Sequence, residues 1–445
     1  MPSVAVVGAG FSGALLALHL LKLGPADLQV SLIDRAGGFG RGLAYATRNP
    51  RHLLNVRVGN MSAWPDDPGH LADWLAGEGE HADPAAFISR ETYGGYLSAQ
   101  LREAVSDGVA GRLLLEHDQV IDIARAGDRL TLTLALGRTL EADAAVLAMG
   151  NLPPASPRGA GFETLPAGAY AADPWDPAAL EDLGAVAPVL LLGTGLTMVD
   201  VAIDLEARGH RGPILALSRR GLVPRRHHGA PHAASLRLPP AEPLSTRLAA
   251  FRWRAAAVDW RVAIDEVRPA TQDLWREAGE AERRRFLRHL RPWWDVHRHR
   301  MAPQIADWFE AHPRLSVAAG RLRSIAAEPA LVRVDWRPRG SATDATVRVA
   351  RIINCSGVGT DLARTRDPLL RRLVDSGAAR LDPLGLGLDV DAKGRVLDAD
   401  GQADPALWAV GPLTRGALWD ITAVPDIRAQ VAAVAADLAA SLRPG

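Results

Sequence analysis

Gly8, Gly10 and Gly13 form a short turn, Gly8-Ala9-Gly10-Phe11-Ser12-Gly13, between an apolar β-prone run at residues 4–7 and a helical pattern at residues 14–23. Glycine is the type such a turn needs, because a side chain there would keep the backbone from closing on a pyrophosphate. The helix that follows, opening with Phe11 and Ser12, would aim free N–H groups and the positive end of its dipole at that anion. Asp34 stands 21 residues beyond Gly13, at the end of a second apolar run and beside Arg35. A carboxylate at that distance can accept both hydroxyls of a ribose, which makes the constellation a dinucleotide seat. A second turn repeats the plan. Residues 189–192 lead into Gly193-Thr194-Gly195-Leu196-Thr197, with Met198 where the pattern more often has Gly or Ala. Here the next strand ends in Ser218-Arg219-Arg220. Arg219 and Arg220 would suit a ribose 2′-phosphate, which guanidinium groups bind by paired, charge-assisted hydrogen bonds. The contrast predicts FAD at the first turn and NADPH at the second, with NADH as the alternative reductant. Solvated arginines are the bland alternative at the second site, since only Lys22 and Lys393 of the 51 basic residues are lysines.

Both turns need strands and helices to hold them. Residues 71–75 and 93–105 read as helices, 112–116 as a strand, and 120–124 with 130–136 as a meander. Residues 144–149 form an apolar strand that ends in Gly150. The second unit has the same order: a strand at 214–217, a meander at 315–318, 325–327, 332–336 and 347–349, and a closing apolar strand at 351–357 that ends in Gly357. Such a duplication predicts an α/β fold with two Rossmann-like dinucleotide-binding domains. Residues 244–312, dense in Arg, Glu and Trp, read as a helical insertion that covers the active site or forms a homodimer contact. The expected units are 1–165 with 360–445 for FAD, 166–240 with 313–359 for NAD(P)H, and the insertion at 241–312. The glycine-rich segment Gly40-Arg41-Gly42, then His52-Leu53-Leu54-Asn55 and Asn60-Met61-Ser62, carry no sustained period and read as loops folded over something. Near the C-terminus a strand ends in Gly411-Pro412. The chain then runs through Trp419-Asp420-Ile421-Thr422-Ala423 into a helix at 426–442, whose N-terminus could stabilise negative charge on a reduced flavin.

With 445 residues, a formal net charge of zero and a sequence pI of about 7.3, the chain carries no global field to draw nucleic acid or an anionic membrane. Its one cysteine, Cys355, leaves no dithiol chemistry and reads as a small buried hydrophobe. No basic leader precedes the first apolar run, so a soluble cytoplasmic protein is expected. His227, His228, His232, His297 and His299 lie among arginines without ligand-like spacing to Cys or acids, so no metal is expected. No nucleophile elbow stands out.

Taken in order, residues 8–13, 39–45, 52–55, 60–62, 218–221 and 419–428 resemble a flavoprotein group that includes FAD-dependent urate hydroxylase and L-aspartate N-monooxygenase. The resemblance implies that NADPH reduces FAD, that oxygen adds to give a C4a-hydroperoxyflavin, and that a small polar nitrogen-containing substrate, a urate-like ring or an amino acid or amine, takes one oxygen atom. It also implies that Asn55 supports the oxygen adduct by hydrogen bonding, with Asp420 as the second catalytic candidate. The linker at residues 168–175 lacks the histidine often found there in wider relatives. Arg225, Arg226, Arg298 and Arg300 would suit an anionic substrate. A flavin reductase or dehydrogenase without oxygen insertion is the alternative.

Overall fold

Val4 to Val7 are apolar on both faces, as a strand buried on both sides must be. In the computed structural model, which describes residues 1–106, 111–157, 159–229, 236, 238, 242–359 and 361–442, they lie in β1 (Ser3–Val7), inside a sheet that is parallel except at its β15 edge. The chain passes through α1 (Phe11–Leu23), β2 (Gln29–Ile33), a single turn α2 (Gly42–Tyr45), α3 (His70–Gly77) and α4 (Arg90–Ser106) to β3 (Leu113–Glu116). A meander of β4 (Val120–Ala126), β5 (Arg129–Leu134) and β6 (Thr139–Ala142) then returns it to β7 (Ala144–Leu147). Val4 and Val6 pack with α1 and α4 on one face of the sheet, while Ala5 and Val7 meet the meander on the other.

The second unit is built the same way. A short β8 (Tyr170–Ala171) precedes β9 (Val189–Leu192), α5 (Leu196–Ala207) and β10 (Ile214–Ser218). The insertion follows as α6 (Leu244–Ala257), α7 (Trp260–Val267), α8 (Thr271–Glu277), α9 (Glu280–His289), α10 (Arg291–Arg298) and α11 (Pro303–Ala311). The chain resumes with β11 (Leu315–Glu328), β12 (Leu331–Pro338), β13 (Ala345–Val349) and β14 (Arg351–Asn354). The two short strands expected at 315–318 and 325–327 are one. β11 pairs parallel with β10 at its start and antiparallel with β12 over the rest, shifting register between Leu322 and Ser324. Val189 and Leu191 face α5, whereas Leu190 and Leu192 face the β11–β13 meander.

After α12 (Pro368–Asp375) the chain re-enters the first sheet as β15 (Arg395–Leu397) and β16 (Ala403–Ala409), then ends in α13 (Val424–Ser441). The sheets run β15-β16-β7-β1-β2-β3 and β13-β12-β11-β10-β9-β14-β8. Residues 240, 241 and 360, beside which the sequence places unit boundaries, lie outside the described residues. Among the described residues, no helix is long and apolar enough to cross a membrane.

Candidate active site

At the first turn Gly8 has φ +102, and a Cβ there would lie 2.5 Å from Ala148 O. A Cβ at Gly13 would fall 1.8 Å from Gly8 O, so helix and strand pack at backbone distance. No side chain caps the start of α1 and no acid lies in its first turn, which leaves its N–H groups to an outside acceptor. Gly42, with φ +54, is so near that its Cβ would be 2.7 Å from Gly10 Cα, and Gly40 donates its N–H to Ala9 O at 2.8 Å. The Gly40-Arg41-Gly42 loop thus lies across the turn, closer than side chains would allow. Asp34 accepts N–H groups from Ala9 at 3.0 Å and Ala36 at 2.8 Å. A carboxylate has about four acceptor positions, so two remain for ribose hydroxyls. Arg35 points elsewhere, 4.0 Å from Asp367. Gly411, with φ +71, brings the end of β16 against α1; a Cβ there would sit 2.6 Å from Ser12 Oγ. Gly150, with φ +69, turns the chain after β7. This donor set suits a dinucleotide of the FAD type.

The second turn opens onto a cleft of about 790 Å³. Gly193, with φ +117, would place a Cβ 2.1 Å from Cys355 O, whereas a Cβ at Gly195 would meet nothing within 4 Å. Gly195, Leu196 and Thr197 therefore face open space at the N-terminus of α5. The unusual Met198 is fully buried in the core beneath. The two arginines part company here. Arg219 lines the cleft, while Arg220 reaches toward Arg288 O at 3.4 Å on α9. Cys355 is buried in the same wall, and burial pushes its thiol far above the ordinary range.

At the far end of the cleft, Trp419, Asp420 and Thr422 are joined by residues that the sequence does not single out. Arg291, Asp295 and His299, from α10 and its end, face Arg415, Trp419, Asp420 and Thr422 from the segment before α13. Asp420 adopts φ +65, unusual outside glycine, and is 8% exposed. Its Oδ1 accepts from His299 Nε2 at 3.0 Å, and Oδ2 lies 3.0 Å from Arg298 Nε. Burial alone would raise this carboxyl; His299, Arg298 and Arg268 overcome that and hold it well below the usual carboxylate range. Arg415 is buried, donates to Asn151 Oδ1 at 3.3 Å, and is lowered to about 10 by burial and by Arg291. Neither Arg415 nor Asp295 shows in any local motif, because each acquires its neighbours only when the insertion folds back on the C-terminal segment.

Three of the four arginines proposed for an anionic substrate already have carboxylate partners. Arg226 pairs with Asp307, Arg298 with Asp420, and Arg300 with both oxygens of Asp265 at 2.8 and 3.2 Å. Arg225 is exposed, with its backbone tied to Val296 and Met301.

Of the loops read as folded over something, the one around His52 is folded over the second unit. His52 is buried, with Nδ1 2.9 Å from Thr47 Oγ1 and Nε2 3.2 Å from Asp204 Oδ1 and 3.1 Å from Asp200 O. Both ring nitrogens thus meet protein, and the residue expected at the cofactor bridges the units instead. Asn49 reaches Asp204 Oδ1 at 2.7 Å, Arg51 reaches Glu206 at 3.0 Å and Arg90 reaches Asp200 at 2.8 Å. Leu53 bridges to Ser89, and Asn55 O meets His227 Nε2 at 3.0 Å, where burial lowers the imidazole to about 4. Met61 is buried, and Ser62 O accepts from Arg428 of α13 at 2.7 Å. Thr422 donates its N–H to Asp420 O at 2.7 Å, and Ala423 precedes the first turn of α13. His232 lies outside the described residues.

A family model described as FAD-NAD(P)-binding matches residues 5–152. The fold is similar to an ornithine hydroxylase from Pseudomonas aeruginosa in its reduced form, at 15% identity and a TM-score of 0.66 over 99% of both chains. It is also similar to an L-lysine 6-monooxygenase from Pseudomonas syringae, at 18% identity and 0.66 over 99% of this chain and 98% of that one. An ornithine N-hydroxylase from Kutzneria, solved with reduced FAD, NADP+ and L-ornithine, matches at 14% identity and 0.63 over 98% of both. Among curated proteins, none matches significantly. At these identities the likeness carries the fold, two Rossmann-like domains with a helical insertion.

Proposed function

We propose that the chain is an NADPH-dependent FAD monooxygenase that hydroxylates a nitrogen-bearing small molecule. The observation that carries this reading is the continuity of the cleft. Its lining runs from Gly193, Gly195 and Arg219 of the second unit to Arg415, Asp420 and Thr422. That second group follows Gly411, which abuts Ser12 of the first turn. A reductant seated on one turn and a flavin on the other would therefore share one space, as transfer between them requires.

The residues divide the work. The N-terminus of α1 and Asp34 would hold the pyrophosphate and ribose of FAD, and Arg219 the 2′-phosphate of NADPH. FAD, when bound, supplies the hydride acceptor and the oxygen chemistry that side chains lack. Asp420 stays ionised and fixes His299 through Nε2, which leaves Nδ1 to exchange a proton with what occupies the cleft. Arg415 and Arg291 add positive charge beside it. Overall, one oxygen atom enters an N–H bond of the substrate and the other leaves as water. NADPH and one proton supply the two electrons and both hydrogens of that water. The ornithine and lysine enzymes of the same fold favour an amine over a urate-like ring.

Flavin-loaded protein reduced with NADPH is mixed with oxygen and a panel of amines, amino acids and urate, and the products are read by mass spectrometry. A product heavier by one oxygen atom, with matching NADPH consumption, is expected. Recovery of every electron as hydrogen peroxide across the panel would refute oxygen insertion and leave a flavin reductase.

A further inference from the structure

The insertion lines a second chamber of about 580 Å³ beside the glycine-turn cleft. That size falls within the roughly 300–1,000 Å³ of pockets that bury whole small molecules. Its walls are aromatic and aliphatic, with Phe251, Trp260, Ile264, Trp275, Phe286 and Trp294 among them. Two of the arginines at its edge are already engaged. Arg247 lies 3.2 Å from Glu277, and Arg283 donates to Trp275 O and stacks 5.2 Å over that indole.

Two elements are common to chamber and cleft. Along α10 and its flanks, Leu290, Trp293, Trp294 and His297 line the chamber at the spacing of one helical face, while Arg291, Asp295 and His299 line the cleft. Trp419 belongs to both walls. Its ring stacks on Trp275 at 4.8 Å and meets Phe286 edge-on at 5.3 Å, one residue before Asp420. The indoles also differ in their polar state. Trp275 Nε1 donates to Gly416 O at 2.8 Å. Trp294 Nε1 and Trp419 Nε1 are buried with no hydrogen-bond partner among the described residues, and Trp419 as a whole is 5% exposed. Neither of these two indole nitrogens has accessible surface, so both rings present only their apolar faces and edges to the chamber.

We infer that the chamber holds the apolar body of the substrate, an aromatic amine whose rings stack among the indoles of its walls. The body fills the space among α6–α10, and the amine passes Trp419 to the Asp420 end of the cleft. This rests on the monooxygenase reading and narrows its substrate from a small polar amine to a largely apolar one.

Calorimetric titration of the flavin-loaded protein with 5-methoxytryptamine, tryptamine, ornithine and decanoate tests it. Both tryptamines are expected to bind at least tenfold tighter than ornithine. Leu248 lines the chamber from α6; Leu248→Trp, which fills it, should weaken 5-methoxytryptamine at least tenfold, and Phe251→Leu should weaken it by a smaller factor. The visible flavin spectrum reports whether each variant is folded; if Leu248→Trp is not, Phe251→Leu carries the comparison. Ornithine binding as tightly as the aromatic amines, or 5-methoxytryptamine affinity indifferent to the folded variants, overturns the chamber assignment. Decanoate binding tightest overturns the amine in favour of an acyl chain. Failure of NADPH to bleach the flavin would instead overturn the monooxygenase reading, and the titrations do not depend on that step.

Discussion

Asp420 concentrates more opposing terms than any other side chain in the cleft: a left-handed backbone, near-complete burial and ionic contacts to Arg298 and His299. Asparagine tolerates the same backbone region, so Asp420→Asn removes the charge with little added strain. Breaking a buried ion pair leaves its partner uncompensated and costs on the order of 3 kcal/mol. Because the folded carboxyl is held well below its unfolded value of about 3.9, its contribution is complete above that pH and fades as pH falls toward the folded value. Thermal melts should therefore show the variant well below the parent at pH 7, with the gap closing in acid below about pH 4. A constant gap across that range would remove the charge from the explanation. Little of this node is legible in the sequence. Asp420 stands in a motif-like segment, but its partners Arg298 and His299 come from some 120 residues away, and no local period links them. Asp34 is different: its distance from Gly13 is set by one helix and one strand, so the chain itself displays the pairing.

At the scale of elements, the two glycine turns show what a strand–turn–helix unit reveals and conceals. Gly193 and Gly195 look alike in sequence yet stand in opposite surroundings, one pressed on Cys355 O and the other facing open cleft. Gly195→Ala should leave the melting temperature within about 1 °C, since its backbone is ordinary and the added methyl meets nothing. Fluorescence titration should nonetheless show NADPH binding weakened about tenfold or more, because the methyl enters the phosphate's space. Gly193→Ala, with both a close contact and a positive φ, should compromise folding itself. The period of the apolar residues also makes the strands and their two-sided burial legible in advance. The double face of α10 is not, because its aromatic and charged residues acquire meaning only from what each side adjoins.

Across the whole molecule, α5 is the element that both units share. Its N-terminus faces the cleft, and its acidic residues Asp200, Asp204 and Glu206 receive Arg90, His52, Asn49 and Arg51 from the first unit. Burial works against the charged imidazole of His52, but the Asp204 hydrogen bond and nearby Asp200 prevail and raise it above its ordinary value. A raised histidine contributes fully below about pH 6.5 and less as pH climbs through the folded value. The stability lost by His52→Gln should therefore be larger at pH 6 than at pH 9, as read by denaturant melts at both. An equal loss would mean that the ring acts at this seam by packing alone. The seam also bears on the tempo of the proposed flavin reduction. Two units clipped together along one helix have no need to swing between postures in each cycle. Flavin bleaching by NADPH in stopped flow should then keep its rate as sucrose thickens the medium, whereas a molecule that had to rotate its halves would slow in proportion to viscosity.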